Sequence, residues 1–290
     1  VLATLGEMGR LTEWLDQLSD MLGHYKAGCF DRQRLKRQVA QCSEPKRARA
    51  ALTLLQPIYQ AYQSRLQTRQ ELDFDDMIGR ALSRVEQGMF NSPWRYILVD
   101  EFQDISEPRG RLLRQLRAVH PDCSLFCVGD DWQAIYRFTG SDLSLTTHFA
   151  DYFGNSAQLA LDCTFRFNEA IARVANRFIQ QNAAQLAKPL ATQEAGAPDA
   201  ITLLPHKAPN TGHQEEEVGP YEVIFKRVEA RRVSQGLSAI SVYLLARFRF
   251  SLPGNELIAR WQGEYPHLMI QAMTIHSAKG KEADVVVIAG

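Results

Sequence analysis

Short apolar runs that end in polar residues constrain the fold of this chain more than any other feature. After residue 93 they alternate with stretches of helical spacing. Runs that are apolar at consecutive positions are typical of strands covered by helices on both faces, as in a parallel sheet. We therefore predict an α/β fold whose strands include YILVD (96–100), LFCVGD (125–130), ITLLP (201–205), SVYLLAR (241–247), MIQAMTI (269–275) and DVVVIAG (284–290).

The first 90 residues have a different pattern, which predicts helices. Apolar residues recur at helical spacing over 11–22 and again over 52–66. Pro57 lies within the second series, and because proline has no amide hydrogen we expect it to interrupt or begin a helix. Two segments poor in large apolar residues, 189–200 and 210–220, predict loops.

Charge and composition narrow the class of protein. Lys plus Arg and Asp plus Glu both number 33, so net charge indicates neither a nucleic acid nor a membrane as partner. Basic residues outnumber acidic ones over residues 1–70, a pattern that a solvated helix face also explains. No run approaches the roughly 18 apolar residues of a membrane span, and acids occupy the opening segment where a signal peptide is basic. We expect a cytoplasmic protein.

The five cysteines have no paired spacing, which predicts neither a disulfide framework nor a zinc site. Cys123 and Cys127 are expected to pack as small apolar residues beside a strand.

The strongest local signal is the apolar run that ends in Asp100 and Glu101. A buried strand that delivers adjacent acids at its carboxyl end places them where α/β sheets bind ligands. Successive strand residues point to opposite faces, so one carboxylate can bind magnesium while the other reaches a water beside a γ-phosphate. The alternative is a solvated strand end whose acids favour the dipole of the following helix.

Two further segments present polar side chains next to apolar anchors. LFCVGDDWQAIYRF (125–138) brings Gln133 to a second strand end, where its amide can hydrogen-bond a phosphate. The rings of Tyr136 and Phe138 follow, and they can either stack on unpaired bases or pack in a core. Arg166 lies between two phenylalanines, and its guanidinium suits a phosphate across a cleft or an ordinary surface salt bridge.

The last segment that carries chemistry is MTIHSAKGKEADVVVI (273–288). Thr274, His276 and Ser277 follow an apolar run, and Gly280 precedes another. Hydroxyls, a ring and backbone amides suit the backbone of a nucleic acid, although each residue also suits an ordinary turn.

Five motifs, in order and spacing, resemble those of the UvrD/Rep-type superfamily 1 DNA helicases. They are DFDDMI (73–78), VDEFQD (99–104), VGDDWQAIYRF (128–138), TFRF (164–167) and TIHSAKGKEADVVVI (274–288). The resemblance covers nearly the whole chain from residue 73 onward. It implies an ATP-driven motor that moves 3′ to 5′ on single-stranded DNA and unwinds partly duplex DNA.

The resemblance also implies an architecture of two RecA-like domains of the P-loop NTPase fold, with ATP between them. A helical insertion lobe is expected at 1–72. The C-terminal part of the first RecA-like domain would occupy 73–162, and a truncated second domain, beginning near Cys163, would occupy 163–290.

Individual roles follow from the matched motif positions. Asp100 matches the acid that binds Mg²⁺, Glu101 the acid that activates water, and Gln133 the contact to the γ-phosphate of ATP. Arg166 matches an arginine that reaches the same phosphate, and Glu282 an acid that touches the nucleotide sugar. The residues that match DNA contacts are Tyr136, Phe138, Thr274 and His276, and the family often has Trp in place of Phe138.

Three motifs of the family are missing from these 290 residues. The phosphate-binding loop G-x-x-x-x-G-K-[ST] is absent, and SAKGKE (277–282) does not replace it, because it lacks the first glycine and the hydroxyl after the lysine. The glutamine motif that reads adenine and the final arginine motif are also absent. We therefore expect an internal segment of a longer helicase, and we expect the isolated chain to be inactive as an ATPase.

Two other functions stay open at the level of sequence. The first is a noncatalytic DNA-binding module with a degenerate helicase fold, although such a module has little reason to retain four of the matched residues together: Asp100, Glu101, Gln133 and Arg166. The second is a nuclease that uses aspartates as metal ligands: Asp73, Asp75, Asp76, Asp100 and Asp104.

Overall fold

The helical spacing before residue 93 is realised in the computed structural model as α1 (Leu11–Ala27), α2 (Arg32–Gln41), α3 (Pro45–Arg69) and α4 (Phe74–Glu86). Helix α3 begins at Pro45, whose missing amide hydrogen costs nothing in a first turn. It continues through Pro57, so the prediction that Pro57 interrupts or begins a helix is wrong. The helix gives up one internal hydrogen bond there and is held by packing of its buried Leu55, which is 2% exposed.

The structure describes residues 11–30, 32–120, 122–137, 140–183, 185–186, 188, 191–197, 200–204 and 219–289. The chain divides into two compact units. Unit 1 comprises Val1–Leu159 and Ala183–Leu186, and unit 2 comprises Ala160–Asn182 and Ala187–Gly290. The expected domain bounds at 72/73 and 162/163 stay predictions.

Unit 1 contains a small parallel sheet. Strands β1 (Tyr96–Val99) and β2 (Ser124–Cys127) pair along their whole length, with Val99 opposite Cys127. Helix α5 (Glu107–Ala118) connects them, and α6 (Ser144–Thr147) and α7 (Phe149–Phe153) follow β2. A buried cluster packs against the sheet and comprises Phe102, Ile105, Leu145 and Phe153.

Only one face of this sheet is covered within the described part of the chain. Val99 and Leu125 pack against the buried cluster. On the opposite face, Tyr96, Leu98 and Phe126 are 73%, 74% and 60% exposed. The expectation of helices on both faces is therefore wrong for β1 and β2, because the cluster meets a single face.

Burial determines the chemical state of the two cysteines in and beside β2, Cys123 and Cys127. Cys123 is 5% exposed. Burial raises the pKa of the Cys127 thiol to about 12, so this side chain stays neutral. Both cysteines therefore pack as small apolar residues, as the sequence predicts.

Unit 2 begins with a short parallel pair, β3 (Cys163–Thr164) and β4 (Ala191–Thr192), which are separated along the chain by α8 (Glu169–Ile179). Helix α9 (Pro220–Gln235) precedes β5 (Ile240–Ala246), and α10 (Asn255–Glu264) lies between β5 and β6 (Leu268–Thr274). Strand β7 (Val285–Ala289) completes a parallel sheet of order β6–β5–β7. Phe225 from α9 and Trp261 from α10 fill its core. The predicted α/β class with parallel strands is confirmed.

The strand expected at 201–205 is wrong for residues 201–204, which pair with no strand in the described part of the chain; residue 205 lies outside it. Ile201 and Leu203 are 43% and 90% exposed. Without burial, nothing offsets the conformational entropy lost when a strand forms.

Among the described helices, none combines the length and apolarity that a membrane span requires.

Candidate functional site

The chain turns sharply where β1 ends, and this turn presents the two predicted acids. Glu101 has φ +50° and ψ +40°, in the left-handed region that few residues other than glycine adopt. Asp100 stabilises the turn because its Oδ1 accepts the Glu101 amide hydrogen over 2.8 Å. Both side chains are exposed at the carboxyl end of β1, where a ligand can reach them.

Gln103 lies directly behind this turn and is 1% exposed. Its Nε2 donates to Oε2 of Glu101 over 2.5 Å, and its Oε1 accepts the Asp130 amide hydrogen over 2.9 Å. One amide therefore connects a predicted catalytic acid to the loop that follows β2. The sequence analysis missed this role, and its only signal was a glutamine two residues after the acid pair.

The two strand ends approach each other closely at Gly129. A Cβ atom there would lie 2.7 Å from Oε1 of Gln103 and 3.1 Å from the backbone nitrogens of Phe102 and Gln103. The Phe102 amide hydrogen is donated to the Val128 carbonyl over 2.9 Å, which fixes this distance. Only glycine leaves room for Gln103 between the two backbones.

The loop after β2 forms a short 3-10 turn, Asp131–Gln133, capped by Asp130. Oδ1 of Asp130 accepts the Trp132 amide hydrogen over 3.1 Å, and Oδ2 accepts Nε2 of Gln133 over 2.8 Å. The predicted phosphate contact, Gln133, is therefore half-buried and oriented by Asp130.

Asp131 and Trp132, within this turn, bind a part of the chain that is distant in sequence. Asp131 is 1% exposed, and its Oδ2 accepts the Leu186 amide hydrogen over 2.7 Å. Nε1 of Trp132 donates to the Leu186 carbonyl over 2.9 Å. Asp131 and Trp132 therefore anchor Leu186. Tyr136 is half-buried, and Phe138 lies outside the described residues, so its predicted DNA contact stays a prediction.

Unit 2 holds the other residues predicted to contact the nucleotide. Arg166 and Glu282 have side chains that are 67% and 83% exposed, with Nε of Arg166 4.0 Å from Oε2 of Glu282. An exposed pair at this distance contributes little to stability, so both groups stay accessible to a ligand.

The predicted DNA-contacting loop follows β6 in the same unit. Oγ1 of Thr274 lies 2.9 Å from Oγ of Ser277 and accepts the Ser277 amide hydrogen over 3.2 Å. His276 begins a short 3-10 turn and is half-buried. Thr274 therefore shapes the loop, and the exposed backbone and hydroxyls around it are the groups available to a phosphate.

An aromatic pair at the end of β5 was missed by the sequence analysis. Phe248 and Phe250 stack with ring centroids 5.2 Å apart and planes 7° apart, and they are 50% and 85% exposed. The Arg247 guanidinium lies 5.5 Å from the centroid of the Phe248 ring. Because Ala246 of β5 pairs with Thr274 of β6, this pair and the Thr274 loop follow neighbouring strand ends.

Two aspartates of the nuclease hypothesis, Asp73 and Asp76, form ion pairs with a buried lysine. Lys26 has a side chain that is 4% exposed, and its Nζ lies 2.6 Å from Oδ2 of Asp73 and 2.9 Å from Oδ1 of Asp76. Burial opposes the charge of Asp73, yet hydrogen bonds from Lys26, the Asp76 amide and Tyr62 hold the pKa of its carboxyl below the usual value. Asp73 also caps α4. Within the described ranges, no three His, Cys, Asp or Glu side chains converge on a possible metal site.

Exposed acids and an oriented amide thus follow the carboxyl ends of parallel strands, which is where α/β proteins bind their ligands. Residues 11–154 match the family described as "UvrD/REP helicase N-terminal domain". The chain therefore belongs, through these residues, to the UvrD/REP helicase family.

Proteins named as DNA helicases are similar to this chain over 141 to 249 residues. The chain is 41% identical to DNA helicase IV of Escherichia coli K12 over 241 residues, which cover 82% of this chain and 32% of that protein. It is 33% identical to the ATP-dependent DNA helicase PcrA of Bacillus subtilis over 141 residues, 47% of this chain and 19% of that protein. A probable DNA helicase of Mycoplasma pneumoniae is 26% identical over 249 residues, 84% of this chain and 45% of that protein. The chain thus spans less than half the length of each of these relatives.

Proposed function

We propose that the whole protein carrying these 290 residues is an ATP-dependent DNA helicase that moves 3′ to 5′ on single-stranded DNA. The observation that carries the proposal is the hydrogen-bonded constellation of Glu101, Gln103, Asp130 and Gln133 at neighbouring strand ends. It lies inside the segment that matches the helicase family. Units 1 and 2 would contain parts of two RecA-like domains.

The exposed carboxylates after β1 fit a nucleotide bound with Mg²⁺. Mg²⁺ prefers oxygen ligands and is held by one or two carboxylates together with waters and phosphate oxygens, so Asp100 suffices as a protein ligand. Bound Mg²⁺ would neutralise charge on the β- and γ-phosphates. Glu101 would accept a proton from the attacking water, and Gln133 would hydrogen-bond the γ-phosphate. In unit 2, Arg166 would contribute positive charge to the γ-phosphate, and Glu282 would accept hydrogen bonds from the sugar.

For DNA, the proposed contacts are Tyr136, Phe138, Thr274 and His276. The rings of Phe248 and Phe250 support this assignment, because exposed stacked rings beside an arginine suit the base faces of a single strand. The similar proteins DNA helicase IV and PcrA are both named as DNA helicases, which favours DNA as the substrate of this protein.

Unwinding of labelled duplexes with a single-stranded tail tests the proposal. The whole protein is expected to separate a duplex with a 3′ tail in ATP and Mg²⁺ and to leave a duplex with a 5′ tail intact. The Asp100→Ala variant is expected to lose this activity because it removes the Mg²⁺ ligand. DNA binding without any ATP-dependent unwinding would instead support the noncatalytic module, and equal unwinding of both substrates would contradict the polarity.

A further inference from the structure

Gln103 is a polar side chain buried between two functional loops. It is 1% exposed, whereas the acid that it contacts, Glu101, is exposed. A buried amide must satisfy its polar atoms, because leaving one without a partner costs about 1–3 kcal/mol in general. Gln103 does so through one bond to each loop.

The orientation of this amide follows from chemistry. The backbone N–H of Asp130 can only donate, so the atom that faces it is Oε1. Nε2 then faces the carboxylate of Glu101, which accepts. Glutamate would place an acceptor against an acceptor at Glu101, methionine would bond to neither loop, and asparagine would be shorter by one methylene. Glutamine is therefore the side chain that satisfies both partners at this reach.

Packing prevents Gln103 from moving independently. Its Oε1 lies 2.7 Å from the position of a Cβ on Gly129, so the backbone of residue 129 closes directly over the amide. The Phe102–Val128 hydrogen bond holds the two backbones together on the same side. A displacement of the loop after β2 must therefore displace Gln103.

The loop after β2 also carries Gln133. Asp130 donates its amide hydrogen to Gln103 and accepts from Nε2 of Gln133 through its carboxylate. A continuous series of hydrogen bonds thus runs from Glu101 through Gln103 and Asp130 to Gln133. Its two ends are the residues proposed to activate water and to contact the γ-phosphate.

We propose that Gln103 is a positioning residue that orients Glu101 for hydrolysis and couples that orientation to the phosphate contact of Gln133. The inference rests on the proposed function. Gln103 itself touches neither water nor nucleotide in this scheme. It acts through Glu101, so removing the amide should matter only while Glu101 is an effective base.

The test is a double-mutant cycle in the whole protein, measured as single-turnover ATP hydrolysis with saturating single-stranded DNA. Gln103→Glu keeps the acceptor for Asp130 but places a second buried carboxylate against Glu101, so it should lower the melting temperature, and its rate is measured per folded molecule. Gln103→Met removes both bonds at similar volume. Each is expected to reduce the maximal rate about tenfold to a hundredfold, the scale of a misplaced catalytic group, with nucleotide affinity changed less than about threefold. In a Glu101→Gln background, each should reduce the rate further by less than about twofold.

Gln262→Met is the matched control. Gln262 also makes one hydrogen bond as donor and one as acceptor, donating to the Leu268 carbonyl over 2.6 Å and accepting the Ile270 amide hydrogen over 3.0 Å, but both partners are backbone groups outside the proposed site. Its variant is expected to lower the melting temperature while the maximal rate per folded molecule stays unchanged.

Other results overturn the inference in distinguishable ways. Gln103 variants that hydrolyse ATP at the wild-type rate, or that lower the rate by the same factor in both backgrounds, would make Gln103 a purely structural residue. A wild-type protein without DNA-stimulated hydrolysis, or a fully active Glu101→Gln variant, would overturn the proposed function itself and the inference with it.

Discussion

Replacing Gly129 by alanine tests the close approach of the two strand ends. The new Cβ would lie 2.7 Å from Oε1 of Gln103 and 3.1 Å from two backbone nitrogens, so one of these groups must move. Overpacking of this kind costs about 1–3 kcal/mol, and weakening the two buried hydrogen bonds of Gln103 adds about 1 kcal/mol each. We therefore expect Gly129→Ala to lower the free energy of unfolding of unit 1 by about 3–5 kcal/mol.

Urea denaturation followed by circular dichroism measures this change, with Gly23→Ala as the control. Gly23 lies inside α1 of the same unit, and a Cβ there would meet nothing within 4 Å. Alanine should therefore stabilise the helix by about 0.5–1 kcal/mol, a change of opposite sign. A Gly129→Ala protein whose unfolding free energy lies within about 0.5 kcal/mol of the wild type would refute the reasoning.

Three further predictions concern other parts of the molecule. Lys26→Met should lower the unfolding free energy by about 3 kcal/mol in urea, because it leaves two half-buried carboxylates without their buried cation. The lowered pKa of Asp73 contributes stability above about pH 4 that is lost as pH falls through its folded value, so this acid dependence should weaken in the same variant. Trp132→Phe removes one indole hydrogen bond and should cost about 1 kcal/mol by the same assay. Phe250→Ala should weaken single-stranded DNA binding by about 1–3 kcal/mol with little change in melting temperature. Phe225→Ala, in the core, should instead cost about 3–5 kcal/mol of stability. The reverse pattern would contradict the proposal that Phe250 contacts DNA.

Much of the fold follows from local pattern. The runs that became β5, β6 and β7 are apolar and are bounded by polar segments, so their positions are predictable within one or two residues. The run at 201–204 has a similar composition but no strand partner in the described part of the chain, and pairing is a non-local property. Pro57 shows the same limit, since packing of the surrounding helix outweighs one lost hydrogen bond.

The candidate site was only partly predictable for a related reason. Asp100 and Glu101 are adjacent, so a strand end brings them together whatever the tertiary fold. Gln103 meets Asp130 across 27 residues of sequence, and Asp131 meets Leu186 across 55 residues. No spacing rule encodes such contacts. The positions of the acids could therefore be predicted, but the network that orients them required the structure.

Steady-state ATP hydrolysis by Glu101→Gln, measured with nucleotide affinity in the whole protein, tests the central claim most directly. The amide keeps the size of the side chain but cannot accept a proton from water. With single-stranded DNA and Mg²⁺ present, turnover is expected to fall at least about a hundredfold while the Kd for nucleotide changes less than about threefold. Turnover within a fewfold of the wild type would contradict the claim that Glu101 is the base of an ATP-driven helicase, and would make the acids after β1 a solvated strand end.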